Sequence, residues 1–531
     1  MILSCSLTSQ QRPRGHKGVK TMKDLSTLVK VVAKKKPDKT AVLLPNGTAI
    51  SYSALNRAID AATSSLIEFG LREEEPVVIL LPNSLQFIIQ ALAVIRAGGI
   101  IIPINPSFGL EELGRIAHFA GAQRWIVWRP LLAELPLKLN GISILHIIPD
   151  HFLFQLSNQA RYLLMNAHYS EAVALMLTTG TTGSPKASPL THAGFLYVLE
   201  KTQGLIPDVD KRVFSAFLPM FHVFGFTFNL LAPLYFGATI ALSESFTPTK
   251  APAIVNQLIE QKVDLITAVP TIYQVIAQIL IRNNLRLASD VICINGGDYL
   301  SPKIFDLFYQ ATGICIRPGY GLTETHSLVS VRSLIEPYDE RVPTACVGQP
   351  IVQTKIIALR EPQADLRTKW RKLPSGQDGE ICFSTQEPNI ISRYLGSEED
   401  NAYCFQNGWF ATGDIGRLDD EGNLYVIDRV KDIIIIGGAN VYPREIEDVL
   451  LRHPQVAQAA CIGVPDPERG ERIRAYLVLK PGESVKPQEI RAFVRAHLSS
   501  LKVPSEIEFR QSLPMIGVKV NKTLLRKEVQ K

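Results

Sequence analysis

"LTTGTTGSPKAS", residues 177–188, is the segment from which the fold of this chain can be worked out most directly. It follows the apolar run "AVALML" and places five hydroxyl residues and two glycines ahead of Lys186. Glycines let backbone N–H groups approach an anion, hydroxyl groups add donors, and the lysine adds a positive charge. The segment therefore predicts a phosphate-binding loop after a buried strand. It is not a Walker A loop, because Pro185 occupies the place of the glycine before the lysine. On composition alone, a flexible surface linker remains an alternative.

Segments typical of strands and helices alternate on both sides of this loop. "PVVILLP" at 76–82 is an apolar run, and the helical pattern "SLQFIIQALAVIRAG" separates it from a second run, "IIIPI". The same order recurs further along the chain in "ATIALS", "TKAPAIVNQLIEQK" and "VDLITAVP". Continuous apolar runs between helices are typical of strands that are covered on both faces. The alternation predicts a large α/β protein.

The length of the chain and a change in its composition predict two domains. A chain of 531 residues is too long for one compact core. The composition changes near residue 429, so we expect a large N-terminal domain over 22–428, a hinge at 429–431 and a small C-terminal domain over 432–531. Residues 1–21 are expected to be a disordered extension, unless translation begins at Met22.

Bulk composition excludes some classes of function. The net charge of +6 is small for this length and argues against a nucleic-acid-binding protein. The 7 cysteines are scattered and odd in number, so we expect reduced, buried thiols and a cytoplasmic location, without disulfides or a zinc site. The longest apolar stretch, 87–104, is interrupted by Arg96 and two glycines. It is better explained by a buried helix, a glycine turn and a core strand than by a membrane span. At most, peripheral membrane contact is expected.

A second segment of interest is "LPMFHVFGF", residues 218–226, which sets His222 in an apolar run. A histidine in such a run is either a functional residue or a hydrogen-bonded residue of the core. The sequence leaves both possibilities open.

A third segment, "RPGYGLTET" at 317–325, combines an aromatic ring with oxygen ligands. Tyr320 offers a face on which a base can stack, and Thr323 and Glu324 offer hard oxygen atoms for magnesium. The alternative is a tight turn capped by the Thr–Glu pair.

A fourth segment, "NGWFATGDIG" at 407–416, holds Asp414 in a glycine-rich turn. A carboxylate in this position could accept hydrogen bonds from both hydroxyl groups of a ribose. It could also only cap the turn.

Taken together, in this order and spacing, the segments resemble the adenylate-forming superfamily, which includes acyl-CoA synthetases, aryl-CoA ligases, luciferases and peptide-synthetase adenylation domains. The resemblance runs from Leu25 to Arg526. It implies a large N-terminal domain of α/β subdomains and a smaller, mobile α+β C-terminal domain. It also implies a two-step reaction, in which a carboxylate attacks the α-phosphate of ATP and a thiol then displaces AMP. The matching segments are "TTGTTGSPK", "LPMFHVFG", "YGLTET", "VGQP", "GWFATGDIG", "DRVKDIIIIGGANVYPREIE" and "GVPD" followed by "GE".

The resemblance assigns nucleotide-binding roles to specific residues. Thr323 and Glu324 are expected to place Mg²⁺ and the α-phosphate, with Thr182 as a further metal ligand. The β- and γ-phosphates are expected to be held by Thr178, Thr179, Gly180, Thr181, Thr182, Gly183 and Lys186. Adenine and ribose are expected to be bound by Gly296, Gly297, Asp298, Tyr320, Gly321, Asp414 and Arg429.

Further roles concern the acid and the acceptor thiol. The resemblance implies that the small domain rotates about Lys431 between the two half-reactions, and that His222 rearranges between acyl entry and thiol entry. The acyl pocket is expected to include Phe221, Phe226 and Gly319. The tunnel for the thiol is expected to include Gly437, Gly438 and Asn440.

The C-terminal segment "LPMIGVKVNK", residues 513–522, resembles the superfamily signature that carries its catalytic lysine. It aligns if the glycine before that lysine is missing, which makes Lys519 the catalytic candidate and Lys522 the following basic position. A loop shortened by one residue can displace a side chain by up to about 3.5 Å. This departure motivates an alternative of a different class, a weakly active protein that binds adenylates.

Other departures lie near the expected adenine site. Asp298 and Tyr299 stand where small residues and proline are usual in the family, and Pro318 replaces a common glutamine. Ala187 follows Lys186 in place of glycine.

The acid is predicted from the segment that follows "FHVFG". Peptide-synthetase domains that take amino acids place an aspartate there, whereas "FTFNLLAPL" has no acidic residue. Because a buried, unpaired ammonium group is costly, the segment argues against an α-amino acid. We expect a medium- or long-chain fatty acid, with an aryl acid as the alternative. Coenzyme A is the expected acceptor, and the phosphopantetheine of a carrier protein is the alternative.

Overall fold

The structure is a computed structural model, and it describes most of the chain. It describes residues 24–109, 112–113, 116, 119, 122, 124–128, 142–148, 151–156, 171–179, 185–334, 343–359, 370–516 and 519–529. The expected N-terminal extension at 1–21 lies outside these residues.

Two large sheets account for most of the chain before residue 335, as the α/β pattern predicts. The eight-stranded sheet has the spatial order Ser327–Val331, Ile316–Leu322, Ile292–Asn295, Leu265–Ala268, Val213–Ala216, Thr239–Leu242, Thr40–Leu43 and Ala49–Ser51. The seven-stranded sheet has the order Ile142–Ile148, His151–Leu156, Arg124–Trp128, Pro76–Leu80, Ile100–Pro103, Ala172–Thr179 and Pro185–Thr191. The central strands of each sheet are parallel.

Helices join these strands and cover them. The described α-helices are Leu28–Lys35, Tyr52–Glu68, Leu85–Arg96, His192–Gln203, Val223–Gly225, Ala232–Phe236, Ala251–Glu260, Pro270–Asn283, Pro302–Thr312, Glu398–Cys404, Pro443–Arg452, Pro487–His497 and Lys522–Val529. Short 3-10 turns lie at Leu25–Thr27, Val209–Lys211, Thr323–Thr325, Val430–Asp432 and Ser500–Lys502, and Phe226–Leu231 is a π-helix.

The longest apolar stretch, residues 87–104, forms a helix, a glycine turn and a strand. The hydroxyl oxygen of Ser84 accepts a hydrogen bond from the backbone N–H of Phe87 at 3.1 Å, which caps the helix Leu85–Arg96. Gly98, with φ +80°, ends the turn after the helix, because this left-handed conformation suits glycine. The buried strand Ile100–Pro103 follows. The prediction of a buried helix, a glycine turn and a core strand is confirmed. No helix within the described residues is long and apolar enough to cross a membrane.

A third, six-stranded sheet follows the two large ones. Its path is Cys346–Gly348, Leu424–Arg429, Trp409–Leu418, Gly379–Ser384 and Thr354–Ile357, with Phe405–Gln406 paired to Trp409–Leu418. Its antiparallel register places Asp414 opposite Arg429. This pairing brings two predicted ribose-binding residues together.

The C-terminal part has its own sheet and core. Its five strands are Ala439–Val441, Ile434–Ile436, Gly470–Leu479, Val456–Asp466 and Glu506–Phe509. The helices Pro443–Arg452 and Pro487–His497 contribute Ile446, Leu450 and Ile490 to a core under this sheet. A small hairpin, Met515–Ile516 with Lys519–Val520, precedes the last helix. The chain thus has a large N-terminal domain and a smaller α+β C-terminal domain.

The exposure of the cysteines agrees only in part with the expectation of buried thiols. All six cysteines in the described part of the chain are free thiols. Four are buried, but Cys315 and Cys404 are only half-buried, so the expectation that all would be buried is wrong.

Candidate active site

A cleft lies where the parallel strand Ile292–Asn295 ends in the eight-stranded sheet. Ligand sites in α/β proteins commonly lie outside the carboxyl ends of parallel strands. The walls come from the segment after Asn295, from the strand Ile316–Leu322, and from the six-stranded sheet. The predicted nucleotide-binding residues that line this cleft are Gly297, Asp298, Tyr320, Gly321, Asp414 and Arg429. The predicted acyl-pocket residue Gly319 also lines it.

A hydrogen-bonded group of three side chains forms the polar wall of the cleft. The hydroxyl of Tyr320 donates to Oδ2 of Asp414 at 2.7 Å, and Nε of Arg429 donates to Oδ1 of the same carboxylate at 3.1 Å. Burial and the Asp414 carboxylate raise the pKa of Tyr320 well above its usual range, so the hydroxyl stays protonated and donates. The Asp414 carboxylate also raises the pKa of Arg429. Each oxygen of the buried Asp414 side chain thus accepts a hydrogen bond from one of these donors.

Gly321 and Gly296 allow close approaches in the walls of the cleft. A Cβ atom on Gly321 would lie 2.0 Å from the backbone oxygen of Ser327, so only glycine fits this hairpin. A Cβ atom on Gly296 would lie 2.8 Å from the ring of Phe224. The ring of Phe224 therefore rests on the backbone of Gly296, which brings the "FHVFG" segment against the segment that lines the cleft.

The predicted phosphate and metal residues meet through a tyrosine that the sequence did not single out. Glu324 accepts a hydrogen bond from the hydroxyl of Tyr394 at 2.7 Å. Nζ of Lys186 lies 3.7 Å from the centre of the Tyr394 ring and 3.3 Å from Oδ2 of Asp400. Burial and the Glu324 carboxylate raise the pKa of Tyr394, which keeps its hydroxyl a donor. Lys186, Tyr394 and Glu324 form one contiguous group, together with Thr323 in the same 3-10 turn as Glu324.

The structure describes only part of the predicted phosphate loop. Strands Ala172–Thr179 and Pro185–Thr191 pair as an antiparallel hairpin, with Thr178 opposite Lys186. Thr178 and Thr179 end the first strand. Gly180, Thr181, Thr182 and Gly183 lie outside the described residues. A hairpin that pairs Thr178 with Lys186 is compatible with the predicted phosphate site.

A buried histidine ties this hairpin to the turn that carries Glu324. Nε2 of His326 accepts a hydrogen bond from the backbone N–H of Thr191 at 2.8 Å, and Nδ1 lies 2.8 Å from the carbonyl oxygen of Asn389. The acceptor role of Nε2 assigns the proton of the neutral ring to Nδ1. Gly194 is required beside the ring, because a Cβ atom there would lie 2.3 Å from Nε2. His326 therefore fixes the relative positions of two predicted phosphate-binding elements.

His326 gives a testable pH dependence of stability. Burial lowers its pKa from 6.5 to about 4, only partly opposed by the hydrogen bond to Asn389. Between these values the unfolded chain binds one more proton than the folded chain, so stability falls as pH drops through this window. We expect the free energy of unfolding to fall about 2 kcal/mol further between about pH 7 and pH 5 in the wild type than in His326→Gln.

Urea unfolding at the two pH values measures this difference. His497→Gln, at an exposed histidine of the C-terminal domain, is the matched control and should keep the wild-type pH dependence. If His326→Gln retains the full wild-type loss, His326 is not a buried neutral histidine.

The predicted acyl-entry residues differ in their exposure to solvent. His222 is exposed, and its ring centre lies 4.6 Å from that of Phe221, so the possibility of a core histidine is wrong. Phe226 is fully buried and packs against Phe195, with ring centres 5.6 Å apart. Two asparagines fix the segment just before His222. Oδ1 of Asn83 accepts from the backbone N–H of Met220 at 2.9 Å. Oδ1 of Asn229 accepts from the backbone N–H of Leu218, also at 2.9 Å.

The predicted thiol-tunnel residues lie away from the cleft. Gly437 and Gly438 form an exposed turn, with φ +58° and +82°, between the strands Ile434–Ile436 and Ala439–Val441. Asn440 is also exposed, and none of the three lines the cleft. Lys431, the predicted hinge residue, lies in the 3-10 turn Val430–Asp432 between the six-stranded and five-stranded sheets.

The two lysines of the C-terminal segment have different environments. The backbone of Lys519 lies in the small hairpin, where it pairs with Ile516. Nζ of Lys522 lies 2.7 Å from Oε1 of Glu447 in a largely buried ion pair. Burial opposes the charge of Lys522, but the carboxylates around it raise its pKa overall. Lys522 is thus bound within the C-terminal domain.

Magnesium is implied by the resemblance, and the residues present can be tested for it. No group of three or more His, Cys, Asp or Glu side chains arranged for a metal occurs in the described part of the chain. Magnesium that accompanies a nucleotide is usually bound by one or two carboxylates and by the phosphates themselves. Glu324 supplies one carboxylate, lies next to Thr323, and is connected to Lys186 through Tyr394. This set fits a magnesium ion that is bound mainly by the phosphates of a nucleotide.

Comparison with known proteins shows which family the chain resembles. The family model described as AMP-binding enzyme matches residues 29–395, and the model described as AMP-binding enzyme C-terminal domain matches residues 445–518. A feruloyl-CoA synthase from Amycolatopsis sp. is 31% identical, over 91% of this chain and 94% of that protein. A long-chain-fatty-acid–CoA ligase from Escherichia coli is 28% identical, over 87% of this chain and 86% of that protein. The crystal structure of ATP-bound MatB from Rhodopseudomonas palustris has the same fold, with a TM-score of 0.79, 23% identity, and coverage of 95% of this chain and 99% of that chain.

Proposed function

The chain belongs to the AMP-binding enzyme family and is an acid–thiol ligase, and we propose that it joins a medium- or long-chain fatty acid to coenzyme A. The observation that carries the proposal is the cleft in which Tyr320 and Arg429 both donate hydrogen bonds to Asp414. An aromatic ring beside a buried carboxylate and a guanidinium suits adenosine, because the ring can stack on the base and the carboxylate can accept from ribose hydroxyls.

The first half-reaction forms the acyl-adenylate. A carboxylate oxygen of the acid attacks the α-phosphorus of ATP, the bond to the β-phosphate oxygen breaks, and pyrophosphate leaves. We assign Lys186 and the loop from Thr178 to Gly183 to the β- and γ-phosphates. Lys519 is assigned to the acid carboxylate and the α-phosphate. Such transfers depend chiefly on positioning and on neutralising charge, which these groups supply.

Magnesium would be held by Glu324, with Thr323 and Thr182 as further oxygen ligands. When bound it would neutralise charge on the phosphates. The contact from Tyr394 to Glu324 fixes the orientation of that carboxylate, and Tyr394 also carries Lys186 on its ring. The same tyrosine therefore positions a metal ligand and a phosphate-binding lysine.

The second half-reaction transfers the acyl group. The thiol sulfur attacks the acyl carbon, its proton is lost, and AMP leaves with the carboxylate oxygen it acquired. Gly437, Gly438 and Asn440 lie away from the cleft, so we assign their role to a second arrangement of the domains. That arrangement is reached by rotation about Lys431, with residues 22–428 and 432–531 as the two moving parts.

The choice of acid rests on the segment after His222. Residues of the π-helix Phe226–Leu231 are all buried, and they carry no charge. Its two polar side chains already have partners: Asn229 accepts from the N–H of Leu218 and donates to Thr267, and Thr227 donates to the carbonyl oxygen of His326. An uncharged segment of this kind favours an acid with a hydrocarbon chain over an acid with a second charged group. The similarity to a feruloyl-CoA synthase supports an aryl acid as a second candidate.

A panel of acids tests the proposal. Release of pyrophosphate is measured with ATP, magnesium and fatty acids of increasing chain length, aryl acids and a dicarboxylic acid. Fatty acids of medium or long chain should give the highest kcat/KM, because each buried methylene contributes about 0.8 kcal/mol. A preference for aryl acids would favour the second candidate. Absence of release with every acid would contradict acid activation and leave a protein that only binds adenylates.

The acceptor is tested in the same reactions. Thioester formation with coenzyme A is compared with transfer to a carrier protein bearing phosphopantetheine. We expect product with coenzyme A. Product with the carrier protein alone would overturn that choice of acceptor and leave the adenylation step intact.

A further inference from the structure

One residue of the C-terminal domain reaches the nucleotide cleft. Arg444 lies in the first turn of the helix Pro443–Arg452 and lines the cleft together with Tyr299, Asp414 and Arg429. The other lining residues precede the 3-10 turn Val430–Asp432. Arg444 is therefore the contribution of the smaller domain to a cleft that the larger domain otherwise forms.

Arg444 is held in this position from two sides. Its backbone N–H donates to Oδ2 of Asp428 at 2.9 Å. Its guanidinium carbon lies 4.5 Å from the centre of the Tyr299 ring, within the range of a cation–π contact. The hydroxyl of Tyr299 donates to Oδ2 of Asp448, one turn further along the helix of Arg444, at 2.7 Å. Tyr299 thus contacts the same helix twice, once through its ring and once through its hydroxyl.

The guanidinium is incompletely hydrogen-bonded. Nη1 of Arg444 is buried and has no hydrogen-bond partner in the described part of the protein. Arginine remains protonated at all ordinary pH values, and a buried N–H donor without an acceptor is unfavourable. Because Arg444 lines the cleft, a ligand in the cleft can supply the missing acceptor.

We propose that Arg444 is a nucleotide-binding residue that the C-terminal domain contributes to the cleft, and that Tyr299 positions it. This inference rests on the proposed function, in which the cleft binds an adenosine nucleotide. Oxygen and ring nitrogen atoms of such a nucleotide are acceptors for the unpaired N–H. A bound nucleotide would then contact both domains and favour the domain arrangement seen here.

Tyr299 supplies two contacts to the helix that carries Arg444, one to Arg444 itself and one to Asp448. A small residue at 299 would offer no ring to the guanidinium and no hydroxyl to Asp448. The arginine and the tyrosine therefore form a pair, and Tyr299 acts on the nucleotide through Arg444.

The first test is the affinity for AMP, measured by calorimetry on the full chain. Burial raises the pKa of Asp448 to about 6, so a titration at about pH 8 keeps this carboxylate ionised. Arg444→Gln should weaken AMP binding about tenfold, since a hydrogen bond to a charged group is lost. Arg495→Gln, at an exposed arginine in the same domain, is the control and should bind AMP like the wild type. An affinity of Arg444→Gln within about twofold of the wild type would overturn the proposal.

The second test separates positioning from folding. Tyr299→Phe keeps the ring and should retain AMP affinity within about threefold, whereas Tyr299→Leu should weaken it about as much as Arg444→Gln. In the Arg444→Gln background, Tyr299→Leu should cause no further loss, because both changes remove one contact. A full additional loss in that background would show that Tyr299 acts independently of Arg444.

These titrations distinguish the inference from the proposed function. AMP binding requires neither an acid nor an acceptor thiol. Wild-type protein that binds AMP but activates no acid would contradict the proposed function and leave the role of Arg444 testable by the same variants. Wild-type protein that fails to bind AMP would overturn both.

Discussion

Lys519→Met is expected to lower the rate of acyl-adenylate formation about a hundredfold or more, with little change in thermal stability. The expected loss follows from the role proposed for Lys519, because removing a charged group that contacts both reacting partners raises the barrier of that step alone. Pyrophosphate release under single-turnover conditions measures the adenylation step. Thioester formation from preformed acyl-adenylate measures the second step and should be much less affected.

Lys522→Met is the matched control and should show the opposite pattern. Lys522 forms an ion pair with Glu447 and lies near Asp428 and Asp432. Removal of one partner from a buried pair leaves the other uncompensated, so the free energy of unfolding should fall by about 3 kcal/mol. The remaining folded protein should adenylate at a rate within a few-fold of the wild type. If Lys522→Met abolishes adenylation and Lys519→Met does not, the alignment of the shortened loop is wrong and Lys522 is the catalytic lysine.

The second large effect is expected at Asp414. Asp414→Asn should lower kcat/KM for ATP roughly a hundredfold, because the buried carboxylate that holds two donors, and that we propose accepts from the ribose, loses its charge. Arg429 then faces a neutral amide, and the hydroxyl of Tyr320 loses its charged acceptor. Most of the effect should appear in the KM for ATP, since the ribose contacts are present before and during the reaction.

Steady-state kinetics at varied ATP and saturating acid check this expectation. Asp420→Asn, at an exposed aspartate in the turn that follows the strand of Asp414, should be indistinguishable from the wild type. Arg429→Gln provides a second variant and should also raise the KM for ATP. An unchanged KM in Asp414→Asn that is folded, as judged by its unfolding transition, would remove Asp414 from the nucleotide site.

Much of the fold and part of the candidate site could be predicted from short segments of the sequence. The apolar runs predicted buried strands, because strands covered on both faces need continuous apolar residues. Tyr320, Asp414 and Arg429 were predicted as nucleotide-binding residues from separate segments, and the six-stranded sheet brings Asp414 opposite Arg429. The sequence could not show that Tyr320 donates to Asp414, because this contact depends on how two sheets pack.

The site residues that the sequence did not predict act through contacts with residues that are distant in the sequence. Tyr394 follows Arg393 in an ordinary loop segment, and only the fold places its ring under Lys186 and its hydroxyl on Glu324. Arg444 lies in another domain from most of the cleft. Its cation–π contact with Tyr299 depends on the domain arrangement, although the unusual tyrosine was a visible signal. His326 directly follows "YGLTET", and no local pattern distinguishes a buried histidine from an exposed one.

The central claim is that this protein activates an acid by joining it to AMP. The most direct measurement uses the best acid from the panel, with a heavy oxygen isotope in its carboxylate, together with ATP, magnesium and coenzyme A. Mass spectrometry should find one labelled oxygen in the AMP released, because the carboxylate oxygen that attacks the α-phosphorus stays with AMP when the thiol takes the acyl group. ADP and phosphate as products, or AMP without the label, would contradict the claim.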